Sequence, residues 1–109
     1  MEGKMADTEK FLAMHVFFDE SDEYEGKPLG EFLLHFLLQR RISGATLLRA
    51  EMGFGSRRHI HHPKHVGTLD EVPMALMVVE REELLRPLLA EIRSYIGDHT
   101  AIIGAVEKF

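Results

Sequence analysis

The apolar positions along this chain change period several times, and each change marks an element. Phe11 to Phe18 (FLAMHVFF) is dense in aromatic and aliphatic residues, which predicts a strand. Alternation places Leu12, Met14, Val16 and Phe18 on one face and Phe11, Ala13, His15 and Phe17 on the other, so both faces are largely apolar. A polar connection, Asp19–Lys27, follows. Pro28 suits a first helical position, where its missing N–H would be unpaired anyway. From Leu29 to Ile42, Leu29, Phe32, Leu33, Phe36 and Leu37 recur at helical spacing, with Leu34 and Leu38 widening the stripe. Arg40 and Arg41 complement the negative end of the helix dipole, and Gly44 is the expected cap.

Ala45 to Met52 (ATLLRAEM) reads as a second strand, with Thr46, Leu48, Ala50 and Met52 on one face and Leu47, Arg49 and Glu51 on the other. Periodicity then lapses over Gly53–Val72, a long loop for a compact domain. Pro73 to Glu80 (PMALMVVE) is a third strand, apolar on both faces. Arg81 to Ile96 carries a helical stripe of Leu85, Leu88, Leu89, Ile92, Tyr95 and Ile96, with Glu82 and Glu83 favouring its N-terminus. Pro87 has no N–H and crowds the preceding turn, so this helix either starts near Leu84 or is kinked. Gly97 closes it, and Thr100 to Val106 is the last strand.

The order strand–helix–strand–strand–helix–strand is the split βαβ pattern. It predicts an α+β, ferredoxin-like βαββαβ domain spanning residues 10–109. Right-handed crossovers place both helices on one face of a four-stranded antiparallel sheet. The other face carries Phe11, Phe17, Leu47 and parts of the third and fourth strands with nothing in the chain to cover it. Monomers rarely expose apolar patches beyond a few hundred Å². Self-association through that face is therefore expected, with His15, Arg49 and Glu51 the polar residues against it.

Composition narrows the setting. The 109 residues suit one domain, and 45% hydrophobic content is ordinary for a globular chain. The polar residues 1–9 read as a flexible leader, with Met5 as the natural start and residues 1–4 left over from expression. Absence of cysteine excludes disulfides, thiolate metal sites and cysteine nucleophiles, and favours a reducing, cytoplasmic setting. No apolar run reaches the ~18 residues of a membrane span, so the chain is not expected to be membrane-embedded. A net charge of −5 argues against nucleic acid as a partner. That charge is segregated: Asp19, Glu20, Asp22, Glu23 and Glu25 form an acidic run that reads as solvated loop, whereas Arg57, Arg58 and Lys64 are basic neighbours.

The chemistry concentrates in Gly53–His65, GFGSRRHIHHPKH. Gly53 and Gly55 allow backbone N–H groups to turn toward an anion, and Arg57 and Arg58 could fork onto its oxygens. Equally, Gly-x-Gly could do no more than end a strand in a bulge. His59, His61, His62 and His65 offer imidazoles to zinc, nickel or copper, although no carboxylate completes a set before Asp70. A solvated polar loop is the alternative. Ser56 with His59 or His61 lacks an orienting acid at a telling spacing, which disfavours nucleophilic catalysis. His15 and His35 lie within apolar elements and read as ordinary, partly buried residues.

Several short segments carry a resemblance. These are Gly26-Lys27-Pro28, Gly44-Ala45-Thr46, Met52-Gly53-Phe54-Gly55, Arg58-His59-Ile60-His61 and Asp70-Glu71-Val72-Pro73. In this order the chain resembles the PII-like signalling proteins of uncertain function, which are distantly similar to the PII nitrogen regulators and CutA. The resemblance implies a homotrimer with sheets facing inward and a loop 53–72 that contacts a partner protein. It also implies a non-enzymatic regulator that binds an adenine nucleotide (AMP, ADP or ATP) between subunits at the base of that loop. Gly53, Gly55, Arg57, Arg58, His59 and His61, with Gly26 and Lys27, are the binding residues it singles out. A CutA-like metal protein using His59, His61, His62 and His65 is the rival. Two departures from PII stand out. No tyrosine occurs in Gly53–Val72, and Glu80-Arg81-Glu82-Glu83, where a glycine-rich phosphate loop is expected after the third strand, is acidic.

Overall fold

The computed structural model describes residues 9–55, 60 and 71–109. Residues 1–8 of the leader, and Ser56–His59 and His61–Asp70 of the long loop, lie outside the described residues. The elements in order are β1 (Phe11–Asp19), β2 (Glu23–Tyr24), β3 (Lys27–Pro28), α1 (Leu29–Gln39), β4 (Ala45–Arg49) and β5 (Pro73–Arg81). Then come α2 (Glu82–Leu85), a 3₁₀ turn (Arg86–Leu88), α3 (Leu89–Ile96) and β6 (Ala101–Val106). Four strands form one antiparallel sheet in the order β4-β5-β1-β6, the ferredoxin-like arrangement. Among the described residues no helix is long and apolar enough to cross a membrane.

Strand alternation organises the core as expected. Leu12, Met14, Val16 and Phe18 of β1 and Leu76 and Val78 of β5 are buried. They lie against Leu29, Leu33, Phe36 and Leu37 of α1, Leu85 of α2, and Ile92 and Ile96 of α3. Each such side chain contributes about 1.5–3 kcal/mol by leaving water. Pro87 sits in the 3₁₀ turn between α2 and α3, so the second helix is interrupted where the proline removes a donor and crowds its neighbours.

Several details differ from the sequence expectation. The end of α1 is closed by Arg41, not Gly44. Arg41 takes a left-handed φ of 64°, its N–H donates to Leu38 O, and the Ile42 N–H donates to Leu37 O. This is a Schellman closure with the buried Leu37–Ile42 pair as its apolar contact. The acidic connection contains a small hairpin, β2–β3, whose central residues Glu25 (φ 51°) and Gly26 (φ 80°) both have positive φ, as a type I′ turn requires. Its Tyr24 ring meets Phe32 and Tyr95 at centroid distances of 4.7 and 5.0 Å, pinning the hairpin to the helical layer. His35 is exposed on α1, whereas His15 is half-buried beside Phe17 with parallel rings 6.2 Å apart.

Leu47 also changes sides. It pairs with buried Leu76 in register and packs against the helix-side core, leaving Leu48 46% exposed on the opposite face. Gly30 makes the fit possible, because a Cβ there would lie 2.8 Å from Leu47 Cδ2. Arg49 follows Leu47 on that side and pairs with Glu20 at 2.7 Å. The open face is nevertheless apolar: Phe17, Leu48, Met77, Val79, Ile102 and Val106 are all exposed large hydrophobics.

Candidate functional site

The base of the long loop lies at one end of the sheet. Antiparallel pairing sets Asp19, the last residue of β1, opposite Pro73, the first of β5, and β6 begins at the same end. Three segments therefore meet here: the turn after β1, the two ends of loop 53–72, and the turn 97–100 before β6. Between them is a cleft of about 640 Å³.

Carboxylates fix these segments to one another. Asp19 Oδ1 accepts the Val72 N–H at 2.7 Å, tying the loop exit to the end of β1, and its Oδ2 accepts the Ser21 N–H at 2.9 Å. The Glu20 N–H donates to Val72 O at 2.9 Å, so Val72 at the loop exit is held through both its N–H and its carbonyl. Asp22 Oδ2 accepts the Asp19 N–H at 2.7 Å and lies 3.3 Å from His99 Nε2. The turn that carries His99 is fixed by Arg93, whose Nη1 donates to the carbonyls of Gly97 and His99 at 2.7 and 2.8 Å. Gly97 adopts φ 62°, a conformation a side chain would strain, which lets the chain leave α3 and enter β6. Much of the acidic run after β1 is thus a bracket for the loop base. Its sequence gave no sign of this, because the bonds join Asp19 to a residue 53 positions away.

Of the residues singled out from sequence, Gly53 and Gly55 are at this site. Gly53 forms an isolated bridge, and among the described residues a Cβ there would meet Pro73 Cγ at 3.4 Å. Gly55 lines the cleft against the buried Glu71, where a Cβ would fall 2.2 Å from the Glu71 carboxylate oxygen Oε2. Its missing side chain makes room for that carboxylate. Gly26 and Lys27 belong to the β2–β3 hairpin and are not among the residues lining the cleft; Lys27 borders a separate groove with Phe32, Arg40 and Tyr95. Arg57, Arg58, His59 and His61 lie outside the described residues, as do His62 and His65 and the candidate nucleophile Ser56. Among the described residues no group of three or more His, Asp or Glu side chains is placed to hold a metal ion.

The acidic segment Glu80–Glu83 is at the opposite end of the sheet, where Arg81 pairs with Phe11. Within one chain it does not line the cleft at the loop base. Glu80 is a structural residue: nearly sealed, it accepts the Ser43 N–H at 2.7 Å and the Arg81 N–H at 3.0 Å. Burial pushes its carboxyl up, but the backbone donors of Ser43 and Arg81 outweigh this and hold it below the ordinary carboxylate range. The segment that does face the loop base from the helical side is Gly97–Thr100, of which Asp98, His99 and Thr100 line the cleft.

The cleft's lining combines two kinds of chemistry. Phe17, Phe54 and Met74 supply apolar surface, while Asp19, Asp22, Glu71 and Asp98 supply carboxylates. His99 is the one basic side chain among the described lining residues. Such a lining offers a planar group aromatic and apolar surface, and offers its donors carboxylate oxygens.

Residues 11–108 match the model of the DUF190 family, described as "Uncharacterized ACR, COG1993". The UPF0166 protein of Aquifex aeolicus (strain VF5) is 30% identical over 90 residues, covering 83% of this chain and 83% of that protein. Among solved structures, CPII, a nitrogen regulatory PII-like protein from Thiomonas intermedia K12 bound to ADP, AMP and bicarbonate, has a TM-score of 0.55. It is 16% identical, with 88% of this chain and 89% of that chain covered. CPII bound to ADP and bicarbonate gives a TM-score of 0.56 at 18% identity, covering 89% and 84%. At such identities the likeness establishes a shared fold.

Proposed function

Because this chain belongs to the DUF190 family and has the fold of a PII-like protein, we propose that it is a non-enzymatic, PII-like regulator that binds an adenine nucleotide. The observation that carries this reading is the cleft at the loop base, which Phe54, Gly55 and Glu71 line together with Asp98, His99 and Thr100. A ligand there would touch both the loop and the scaffold, which is what a switch needs. Gly53 and Gly55 would let it approach the backbone, and Arg57, Arg58, His59 and His61 would hold its phosphates from the loop.

The apolar open face of the sheet supports assembly of copies through it, in a trimer that completes the cleft with a neighbouring subunit. Nucleotide binding would bias the loop between two states and so alter its fit to a partner protein. This requires affinity that differs between those states.

Isothermal titration of the assembled protein with AMP, ADP and ATP tests the reading. Saturable binding of at least one is expected. No heat with any of them at millimolar ligand would remove it.

A further inference from the structure

Resting on the assembly of copies through the open face, we propose that His15 makes that assembly pH-sensitive: the chains associate while its imidazole is neutral and separate as it takes up a proton. Two observations carry this. The first is position. His15 lies midway along β1, with Met77 of β5 and Ile102 of β6 as its partners in register, so the three share the open face. The neighbouring positions of that face on the same strands are Ala13, Phe17, Ala75, Val79 and Gly104, none of them titratable. Beyond Met77, β4 adds Thr46 and Leu48. The charged residues of the same alternation, Asp19 and Arg81, are at opposite ends of the β1–β5 pair. Arg81 is paired there with Glu9 and Glu83, and Lys108 lies 5.0 Å from the Phe11 ring.

The second observation is how His15 is held. It is half-buried with its ring parallel to Phe17, and among the described residues its imidazole takes part in no hydrogen bond or ion pair. Water serves it while the face is open. Once other copies cover the face, a neutral ring is enclosed at the lesser cost of an unpaired polar group. An imidazolium would be a charge among apolar side chains with no counter-ion beside it. Symmetry repeats that cost in every copy of the assembly.

The direction follows from proton linkage. Separated chains bind more protons than assembled ones, so assembly weakens as pH falls through the range in which histidine side chains change charge. Each copy contributes up to about tenfold per pH unit to the dissociation constant, and the copies of a trimer together up to about a thousandfold.

Sedimentation velocity over a dilution series at about pH 8 and about pH 6, a window above the titration of ordinary carboxylates, tests the switch. The dissociation constant of the trimer is expected to rise about tenfold or more at the lower pH and to recover on return. His15→Leu should assemble to a similar extent at both. His99→Gln, which changes the histidine beside Asp22 at the loop base, should keep the full response. Equal assembly of the unsubstituted protein at the two pH values overturns the switch and leaves the assembly and nucleotide readings standing. A response that survives in His15→Leu, or one lost in His99→Gln, does the same. Monomer at the higher pH removes the assembly reading and the switch with it.

Discussion

On the helix side of the sheet, Val16 and Leu76 are fully closed from water; one position along the same strands, Phe17 and Met77 are 41% and 37% exposed. The side chains are of similar size and polarity on both faces. What differs is that α1, α2 and α3 cover one face, and no element among the described residues covers the other. A strand apolar on both faces is the pattern of a sheet buried on both sides. The open face therefore carries the composition of an interior, and the comparison teaches why assembly of copies through that face belongs to the proposed function.

The largest effect should come from placing a charge on the open face. Ile102→Asp would bury an unpaired carboxylate if that face is covered, at a cost of several kcal/mol per subunit. Sedimentation velocity at micromolar concentration should then report monomer where the unsubstituted protein reports trimer. Equal masses for the two would break the comparison, since the open face would then be ordinary surface.

Next in size is the direct contrast between neighbours. Leu76→Ala should cost about 2–5 kcal/mol by denaturant unfolding, the range for emptying a sealed aliphatic site. Met77→Ala, measured in the monomeric Ile102→Asp background, should cost less than about 1 kcal/mol, because its surface is already partly wet. Similar losses at the two positions would mean that the faces do not differ energetically.

Glu80 tests the edge of the sealed side. It is 4% exposed and joins β5 to the turn after α1 through the Ser43 N–H. Glu80→Ala leaves buried donors unmet and should cost about 1–3 kcal/mol. The pH dependence has a definite sign. The folded carboxyl lies below its unfolded value, so its stabilisation is present above the unfolded value and is lost as pH falls through the folded one. The stability gap between the unsubstituted protein and Glu80→Gln should close on acidification, as followed by thermal melts. A gap that persists below the carboxylate range would assign Glu80's role to packing.

How much of this the sequence disclosed depends on the range of the forces involved. Local periodicity revealed α1, the alternation of β1 and the order of elements, because each is set by neighbours within a few residues. The Pro87 interruption was legible for the same reason. Leu47 was misplaced because Leu47 and Leu48 are adjacent and equally apolar, so alternation cannot choose between them; register with Leu76 and the space over Gly30 choose. Gly44 looked like the cap, but the Leu37–Ile42 contact closes the helix one turn of chain earlier, through a left-handed arginine. The hairpin at Glu25–Gly26 was hidden in an acidic run whose glycine was its one turn signal.

The site divides along the same line. Gly53 and Gly55 announced a place where the backbone is approached closely. Their sequence did not show that Gly55 is approached by this chain's own Glu71. Asp19 and Asp22 read as solvated charge, since their partners Val72 and His99 are distant in the chain.

That contact at Gly55 yields the smallest predicted effect, on the order of 1 kcal/mol, and it tests the cleft end of the sealed side. A methyl at position 55 would sit 2.2 Å from Glu71 Oε2, so Gly55→Ala must move a carboxylate that is only 5% exposed. The flexible glutamate can yield by a rotamer change, which limits the penalty to the low end of overpacking costs, about 1 kcal/mol. Shortening Glu71 should remove the conflict. In a Glu71→Ala background, Gly55→Ala should therefore cost little, and a double-mutant cycle should return a coupling of about the same size. Calorimetric melts of the four proteins would measure it. An equal penalty in both backgrounds would separate the glycine from the carboxylate, and would return Gly55 to the role its sequence first suggested, as backbone kept bare for a ligand.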